Sequence, residues 1–220
     1  IFCGDIGCYT LGNAMPLDMV DTCLCMGAGL NIAQGVEKVE PDTTCFAFVG
    51  DSTFFASAIT GVVNAVYNQA NMVLIVLDNS TTAMTGHQPH PGTGQTVMGE
   101  IVQKINIEQV LRGIGVTEIE TINPLELEAS VSCVKRMAEK SGVRAIIFKA
   151  PCIAVTKPKA PLHVNQDSCI GCKKCIRDLG CPAIVMNDGK ICIDASMCTG
   201  CHLCSQVCPV CAIAGGDDHE

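Results

Sequence analysis

The last quarter of the chain repeats a cysteine pattern at an offset of 29 residues. Two triplets of cysteines occur, each followed by a Cys-Pro pair: Cys169, Cys172 and Cys175 before Cys181, then Cys198, Cys201 and Cys204 before Cys208. Ile184 and Ile213 keep the same offset. A half of about 28 residues cannot build its own core, so we expect the two halves to pair into one pseudo-symmetric module.

The second half of this module contains the run Cys198-x2-Cys201-x2-Cys204-x3-Cys208-Pro209. The run is typical of bacterial ferredoxins with two [4Fe-4S] clusters, in which the fourth cysteine binds the cluster of the other half. We therefore predict a small α+β ferredoxin domain over residues 164–220. One cluster is assigned to Cys169, Cys172, Cys175 and Cys208, the other to Cys198, Cys201, Cys204 and Cys181.

The first half departs from this run, because five residues rather than three separate Cys175 from Cys181. The longer loop is expected to alter the surroundings of the cluster that Cys181 serves. Zinc and redox disulfides are the alternatives, but zinc sites usually pair two C-x2-C hooks around one ion, which this pattern fits poorly. Cys192 and Cys211 are surplus and are expected to be small buried residues.

Cysteine makes up 17 of the 220 residues, and the odd number excludes complete disulfide pairing within the chain. No signal peptide opens the sequence, so we expect a reducing, cytoplasmic compartment in which the thiols bind metal. The start at Ile1 resembles the middle of a fold, which suggests a processed chain or a fragment. A net charge of -8 and 4% aromatic residues argue against nucleic acid or an anionic membrane as partner.

The first two thirds of the chain alternate strand-like and helix-like segments. Continuous apolar runs at 45–49 and 72–77 are typical of parallel strands covered on both faces. Further strands are predicted at 116–122 and 143–148, and helices at about 53–69, at 107–114 and from Pro124 to about 140. This order predicts an α/β domain with a doubly wound, mostly parallel sheet over residues 1–155, followed by a proline-rich linker at 156–163.

Residues 52–77 lack any charge and exceed the ~20 residues that a membrane-spanning helix needs. Asn64, Asn68, Gln69 and Asn71 interrupt the stretch. A buried helix followed by a buried strand explains it better, so no membrane span is expected.

Polar residues follow two of the predicted strands. Gly50, Asp51 and Ser52 end one strand and open a helix, and Asn79 follows the next strand. Open α/β sheets bind ligands at the carboxyl edge of their strands, and a helix N-terminus offers N–H groups to phosphate oxygens. Oxygens of Asp51 and Asn79 are suited to Mg²⁺ that already carries a diphosphate.

This spacing resembles the signature of thiamine diphosphate enzymes, in which Gly-Asp is followed nearly thirty residues later by Asn. The resemblance implies Asp51 and Asn79 as side-chain ligands of Mg²⁺ and the carbonyl of Thr81 as a third ligand. Other candidates for cofactor contact are Thr82, Met84 and Thr85 in the following loop, and Cys25 and Gly27 before a predicted helix. His87 is equally well explained as substrate contact or as a surface loop residue, and His90 lies in the same loop.

The two modules together resemble the carboxy-terminal part of the alpha subunits of indolepyruvate ferredoxin oxidoreductases. The resemblance covers essentially the whole chain and rests on five stretches: Gly4-Asp5-Ile6-Gly7-Cys8-Tyr9-Thr10-Leu11-Gly12, Asp21-Thr22-Cys23-Leu24-Cys25-Met26-Gly27, Gly50-Asp51-Ser52-Thr53-Phe54-Phe55, Asp78-Asn79-Ser80-Thr81-Thr82-Ala83-Met84-Thr85-Gly86-His87-Gln88 and Gly180-Cys181-Pro182-Ala183-Ile184. It implies oxidative decarboxylation of an aryl 2-oxo acid, with coenzyme A as acyl acceptor and an external ferredoxin as electron acceptor.

The resemblance also implies partners. The glutamate that activates thiamine diphosphate is expected outside this chain, so the chain alone is expected to be inactive without the remaining alpha-subunit domains and a beta subunit. Related pyruvate oxidoreductases hold a further cluster with cysteines at places comparable to Cys8 and Cys152. We assign neither residue to a cluster and expect both to be buried thiols.

Two other functions remain open at this point. A non-oxidative 2-oxo acid decarboxylase fused to a ferredoxin would release an aldehyde without any electron acceptor. An electron-carrier subunit would use its α/β domain only for docking, but the presence of both Asp51 and Asn79 argues against it.

Overall fold

The computed structural model describes residues 1–215. The chain divides into two compact units: unit 1 comprises Ile1–Leu11 and Met19–Val155, and unit 2 comprises Gly12–Asp18 and Thr156–Glu220. Residues 156–163, predicted to be a linker, belong to unit 2, and Leu162–Val164 form a strand there.

Unit 1 is built on a parallel sheet. Its strands are β1 (Phe2–Cys3), β2 (Cys45–Gly50), β3 (Met72–Asp78), β4 (Glu118–Ile122) and β5 (Val143–Lys149). They lie in the order β1-β2-β3-β5-β4, and all four pairings among these five strands are parallel. The predicted α/β class with a mostly parallel sheet is confirmed.

Helices connect these strands. They are α1 (Ala28–Val39), α2 (Asp51–Thr53), α3 (Ile59–Tyr67), α4 (Ile107–Ile114) and α5 (Leu127–Glu139), and a π-helical turn at Phe54–Ala58 joins α2 to α3. The uncharged stretch 52–77 is therefore a helix followed by a strand, as predicted. Within residues 1–215, no helix combines the length and the apolar character that crossing a membrane requires.

The sheet is covered on both faces because successive strand residues point to opposite sides. Leu30, Val62 and Leu111 from α1, α3 and α4 pack on one face. Cys133 and Met137 from α5 pack on the other face. The continuous apolar runs of β2 and β3 follow from this two-sided burial, and the doubly wound arrangement agrees with the sequence pattern.

Helix α5 begins later than Pro124, where the sequence suggested its first turn. Asn123 explains the difference: its Oδ1 accepts a hydrogen bond from Leu125 N (3.1 Å) and its carbonyl accepts one from Glu126 N (3.1 Å). This turn, closed by the Asn side chain, holds Pro124 before the helix.

Arg144 is buried in unit 1, with 1% of its surface exposed. Its guanidinium donates to the carbonyls of Met137 (3.1 Å) and Gly142 (2.5 Å) and to Asn71 Oδ1, and burial lowers its pKa. The side chain thus ties the end of α5 to the start of β5.

We expect Arg144→Met to destabilise unit 1 by about 1–3 kcal/mol, because buried carbonyls would lose their donors. Arg112→Met is the matched control, since the Arg112 side chain forms an exposed i,i+4 pair with Glu108, worth about 0.5 kcal/mol or less. Urea unfolding followed by circular dichroism measures both changes. Equal stability of the two variants would contradict this role of Arg144.

Unit 2 contains two small antiparallel sheets. β6 (Leu162–Val164) pairs with β9 (Ile213–Gly215), and β7 (Ile184–Asn187) pairs with β8 (Lys190–Ile193). Two short helices, α6 (Lys174–Arg177) and α7 (Leu203–Val207), complete the described part of the unit.

The 29-residue repeat predicted from the sequence is confirmed in the backbone. Each short helix is preceded by a glycine and a capping residue with positive φ: Gly171 (64°) and Lys173 (61°) before α6, Gly200 (68°) and His202 (62°) before α7. Cys169 N and Cys198 N each donate at 3.0 Å to the carbonyl four residues earlier.

Candidate functional sites

The first candidate site lies at the carboxyl edge of β2 and β3. β2 ends at Gly50 and Asp51 opens α2, whereas Asn79 directly follows β3. The two strands are neighbours, with Gly50 in register with Leu77. The structure therefore brings Asp51 and Asn79 to one edge of the sheet, as the sequence pattern indicated.

Asp51 is buried at this edge, with 3% of its surface exposed. Its Oδ1 accepts a hydrogen bond from Ser52 N (2.8 Å) and its Oδ2 accepts one from Ser80 N (2.8 Å). Among the described residues, no lysine or arginine pairs with it. Buried carboxylates are generally paired with a charged group or bound to a metal, and the oxygens at this edge are of the type that Mg²⁺ prefers.

A cavity opens in front of these residues. Eight of the ten predicted cofactor-contact residues line it, namely Gly50, Asp51, Ser52, Asn79, Thr81, Thr82, Met84 and Thr85. The remaining two, Cys25 and Gly27, are not on its wall; their neighbour Met26 is. The N–H of Gly27 instead donates to Asp5 Oδ1 (2.6 Å), so this amide is already occupied.

Sequence reasoning missed Tyr9, which lines the cavity, and Asp5, which Tyr9 contacts. Asp5, which is 1% exposed, accepts a hydrogen bond from the Tyr9 hydroxyl at its Oδ2 (2.6 Å). The same hydroxyl accepts one from Gly50 N (2.7 Å). Burial and the bond to Asp5 raise the pKa of Tyr9, so it remains a phenol that bridges Asp5 and the turn before Asp51. The Gly4-Asp5 motif was noted in the sequence, but it did not indicate this contact.

We expect Tyr9→Phe to weaken binding of thiamine diphosphate about tenfold, because the Gly50 amide would lose its acceptor and the turn its anchor. Tyr67→Phe is the control, since Tyr67 is 83% exposed. Isothermal titration of the cofactor into the apoprotein complex with Mg²⁺ measures both affinities. Unchanged affinity of Tyr9→Phe would show that the bridge does not position the turn.

The sequence pattern indicated no role for His90, but the structure places this residue beside Asp51. Its side chain is 5% exposed and its Nε2 lies 3.1 Å from Asp51 Oδ2, in a contact without hydrogen-bond geometry. Its Nδ1 accepts a hydrogen bond from Gly92 N (3.2 Å), and its ring stacks on Phe55. His87 is exposed, as expected for a residue of a surface loop.

Unit 2 contains the second candidate site, which is a pair of cavities lined by cysteines. Four cysteines line one cavity: Cys169, Cys172, Cys175 and Cys208. Four others line the second: Cys181, Cys198, Cys201 and Cys204. In each cavity the fourth cysteine comes from the other half of the repeat, which is the grouping that the sequence pattern indicated.

The cysteines surround each cavity instead of meeting at one point. In residues 1–215, no three His, Cys, Asp or Glu side chains converge closely enough to hold a single metal ion. Backbone amides approach two of the sulfurs, with Leu162 N 3.5 Å from Cys198 Sγ and Ala212 N 3.2 Å from Cys208 Sγ. Such N–H···S contacts are suited to the sulfurs of an iron–sulfur cluster.

Burial is the main cause that raises the pKa of Cys204 to about 11, and the neighbouring cysteines Cys201, Cys181 and Cys198 raise it further. The pKa of Cys175 is raised for the same reasons. Without a metal these thiols hold their protons, and metal binding would have to release them.

Two expectations about the other cysteines are wrong. Cys8 is exposed and lines the cavity at Asp51, because residues 8–13 form a surface 3-10 helix there. Cys211 is exposed because it occupies a turn with φ of 50° after Cys208. Cys152 and Cys192 are half-buried, and no disulfide forms among the cysteines of residues 1–215.

Comparison with known proteins places this geometry in a family. Residues 5–148 match the family described as thiamine pyrophosphate enzyme, C-terminal TPP binding domain. The chain is also similar to indolepyruvate oxidoreductase subunit IorA of several archaea, and the predicted resemblance is confirmed. Identity is 40% for Archaeoglobus fulgidus, 42% for Methanothermobacter thermautotrophicus and 38% for Thermococcus kodakarensis, over 93%, 97% and 95% of this chain.

The chain spans about a third of the length of these relatives, from 34% to 36%. Among solved structures, a 2-oxoglutarate:ferredoxin oxidoreductase from Magnetococcus marinus with 2-oxoglutarate, coenzyme A and succinyl-CoA bound is similar in fold. Its TM-score is 0.61 at 18% identity, covering 71% of this chain and 55% of that chain. At this identity the likeness supports the fold alone.

Proposed function

Because the chain belongs to the thiamine pyrophosphate enzyme family, through its C-terminal TPP binding domain, we propose that it is part of a 2-oxo acid:ferredoxin oxidoreductase. The proposed reaction is the oxidative decarboxylation of aryl 2-oxo acids, of the indolepyruvate type, to acyl-CoA and CO₂. The observation that carries the proposal is the combination, in one chain, of a buried Asp51 that pairs with no lysine or arginine among residues 1–215 and two cavities each lined by four cysteines.

In unit 1, the side chains of Asp51 and Asn79 and the carbonyl of Thr81 would hold Mg²⁺. Asn79 Oδ1 accepts a hydrogen bond from Thr81 N (3.2 Å), which closes a turn directly after β3, and Ser80 N in this turn donates to Asp51 Oδ2 (2.8 Å). Thr82 Oγ1 donates to Ser52 Oγ (2.9 Å) and joins that loop to α2. Thiamine diphosphate, when bound, supplies the electron sink for cleavage of the bond to the carboxylate.

In unit 2, each cavity would hold one [4Fe-4S] cluster, as in two-cluster bacterial ferredoxins. Cys169, Cys172, Cys175 and Cys208 would bind the first cluster. Cys181, Cys198, Cys201 and Cys204 would bind the second cluster. Oxidation of the substrate releases two electrons and each cluster accepts one, so two clusters in one chain suit the reaction.

The proposed enzyme needs partners. We propose the remaining alpha-subunit domains, a beta subunit, coenzyme A and an external ferredoxin. The word subunit in the names of the archaeal relatives supports a multi-chain assembly. A reducing cytoplasm suits this chemistry, because cluster assembly requires free thiols.

Anaerobic purification with the native partners, followed by a dye-reduction assay with several 2-oxo acids, tests the proposal. Indolepyruvate and phenylpyruvate with coenzyme A should reduce the dye, and omission of coenzyme A should stop sustained turnover. Aldehyde release without an acceptor would instead identify a non-oxidative decarboxylase. A complex that contains iron but does not bind thiamine diphosphate would identify an electron carrier with a docking domain.

A further inference from the structure

The two halves of unit 2 differ in what covers their first loops, residues 170–174 and residues 199–203, which are equivalent in the repeat. All five residues of the 170–174 loop are exposed. The residues of the 199–203 loop are all buried or half-buried. The repeat therefore offers an internal comparison of two cluster environments.

A segment of the chain itself covers the 199–203 loop. Lys159 N donates to Thr199 O (3.1 Å). A Cβ on Gly200 would lie 2.7 Å from both Ala160 O and Lys159 Cβ, so the segment is in close contact with the loop. At the equivalent Gly171, a Cβ would meet nothing within 4 Å. The 170–174 loop is thus uncovered at the place where the 199–203 loop is covered by the chain.

The open loop is also cationic. Lys173, Lys174 and Arg177 occupy the positions that His202, Leu203 and Gln206 occupy in the other half. Lys173 and Arg177 make no ion pair within the described residues, and Arg177 Nη2 donates to Cys172 O (3.3 Å). The protein as a whole carries a net charge of -8, so this positive charge is local.

Acidic residues do not cancel this charge. Asp178 faces Lys174 at 3.9 Å in an exposed pair, which is weak in water. Asp167 is the other acid of the stretch, so the net charge from 166 to 180 remains positive.

The centre of the loop is apolar. Ile170, which is 65% exposed, lines the first cavity with Pro209 and Val210, and Val210 is 38% exposed. Cys172, which is exposed, lines the same cavity. An apolar centre with a charged rim is the usual anatomy of a transient protein interface.

We propose that the 170–174 loop, together with Arg177, is the docking site of a small acidic electron-carrier protein, and that electrons leave through the cluster of Cys169, Cys172, Cys175 and Cys208. This inference rests on the proposed function. In each docking event the reduced cluster loses one electron and the carrier gains one, so two events follow each turnover. The charge on the loop attracts an acidic carrier and steers its approach.

The test uses the purified complex, an acidic plant-type [2Fe-2S] ferredoxin and the variant Lys173→Glu/Lys174→Glu. At about 50 mM salt, we expect the Kd for ferredoxin, measured by biolayer interferometry, to rise about tenfold. At about 500 mM salt the difference should shrink, because salt screens exposed charges. The rate at which the variant reduces the zwitterionic dye propyl viologen sulfonate should stay within about twofold of the wild-type rate, because a dye without net charge is not attracted by the cationic side chains of the loop.

Lys135→Glu/Lys157→Glu is the matched control, since it makes the same change in net charge at exposed lysines outside the loop. Its Kd for ferredoxin should stay within about twofold of the wild type. Equal ferredoxin affinity of the loop variant and the control would overturn the docking proposal. If the loop variant loses iron, Lys173→Gln/Lys174→Gln should show a smaller weakening with the iron retained, and no weakening in that variant would also overturn it.

The two proposals fail differently. A wild-type complex that reduces neither dye nor ferredoxin from any 2-oxo acid with coenzyme A would refute the proposed function. If the wild-type complex reduces the dye normally and the loop variant binds and reduces ferredoxin as well as the wild type does, only the docking site is refuted.

Discussion

Replacing Asp51 with alanine is expected to abolish retention of thiamine diphosphate and to leave the iron content of the complex unchanged. Asp51 is the anionic ligand in the proposed Mg²⁺ site, and its carboxylate also accepts hydrogen bonds from Ser52 and Ser80. Loss of even an outer-shell partner costs about 10–100-fold in metal affinity, so loss of a ligand should exceed about 100-fold. Thiamine, magnesium and iron quantification after anaerobic purification measures the effect.

Asp42→Ala is the matched control for this prediction, because Asp42 is an exposed acid in the loop before β2. It should retain both thiamine and iron. Loss of iron from Asp51→Ala, with thiamine retained, would contradict the assignment of the two cofactor types to the two units.

Replacing Cys208 or Cys181 with alanine is expected to remove about half of the iron, that is, one cluster of two. Each variant should lose the cluster that is formed mainly by the other half of the repeat. Cys208 lies in the cavity of Cys169, Cys172 and Cys175, and Cys181 lies in the cavity of Cys198, Cys201 and Cys204. Iron analysis and electron paramagnetic resonance of the reduced complex identify which cluster is lost.

Double variants make this test sharper. Cys175→Ala/Cys208→Ala should lose no more iron than either single variant, because both residues would bind one cluster. Cys204→Ala/Cys208→Ala should lose nearly all iron, because the two residues would bind different clusters. Cys211→Ala is the control three residues away, and it should retain the full iron content. Equal iron loss in the two double variants would refute the cross-pairing.

Much of the fold follows from patterns that depend on local physics. The apolar runs of β2 and β3 predict strands buried on both faces, and the helices packed on both sides of the sheet confirm this. The polar residues after those strands, Asp51 and Asn79, had to meet if the strands were parallel neighbours, and they do. The repeat of the cysteines predicts two equivalent halves, and the turns before α6 and α7 do have matching positive φ values.

Other features depend on contacts between distant residues, which sequence spacing does not reveal. Tyr9 contacts Gly50, which lies 41 positions later in the sequence. His90 contacts Asp51, although α3 and β3 separate the two residues in the sequence. The late start of α5 depends on a side-chain turn at Asn123 that competes with the preference of Pro124 for a helix start. The exposure of Cys8 and Cys211 depends on where their loops lie, which composition cannot determine.

The most direct test of the account follows the oxidation state of the clusters in the anaerobic complex. Electron paramagnetic resonance should be recorded before and after adding an aryl 2-oxo acid and coenzyme A. If thiamine diphosphate chemistry supplies the electrons, signals of reduced [4Fe-4S] clusters should appear with the substrate in the wild type and be absent in Asp51→Ala, although both proteins contain the same iron. Clusters that stay oxidised in the wild type under these conditions would contradict the proposed transfer of electrons from the 2-oxo acid to the clusters.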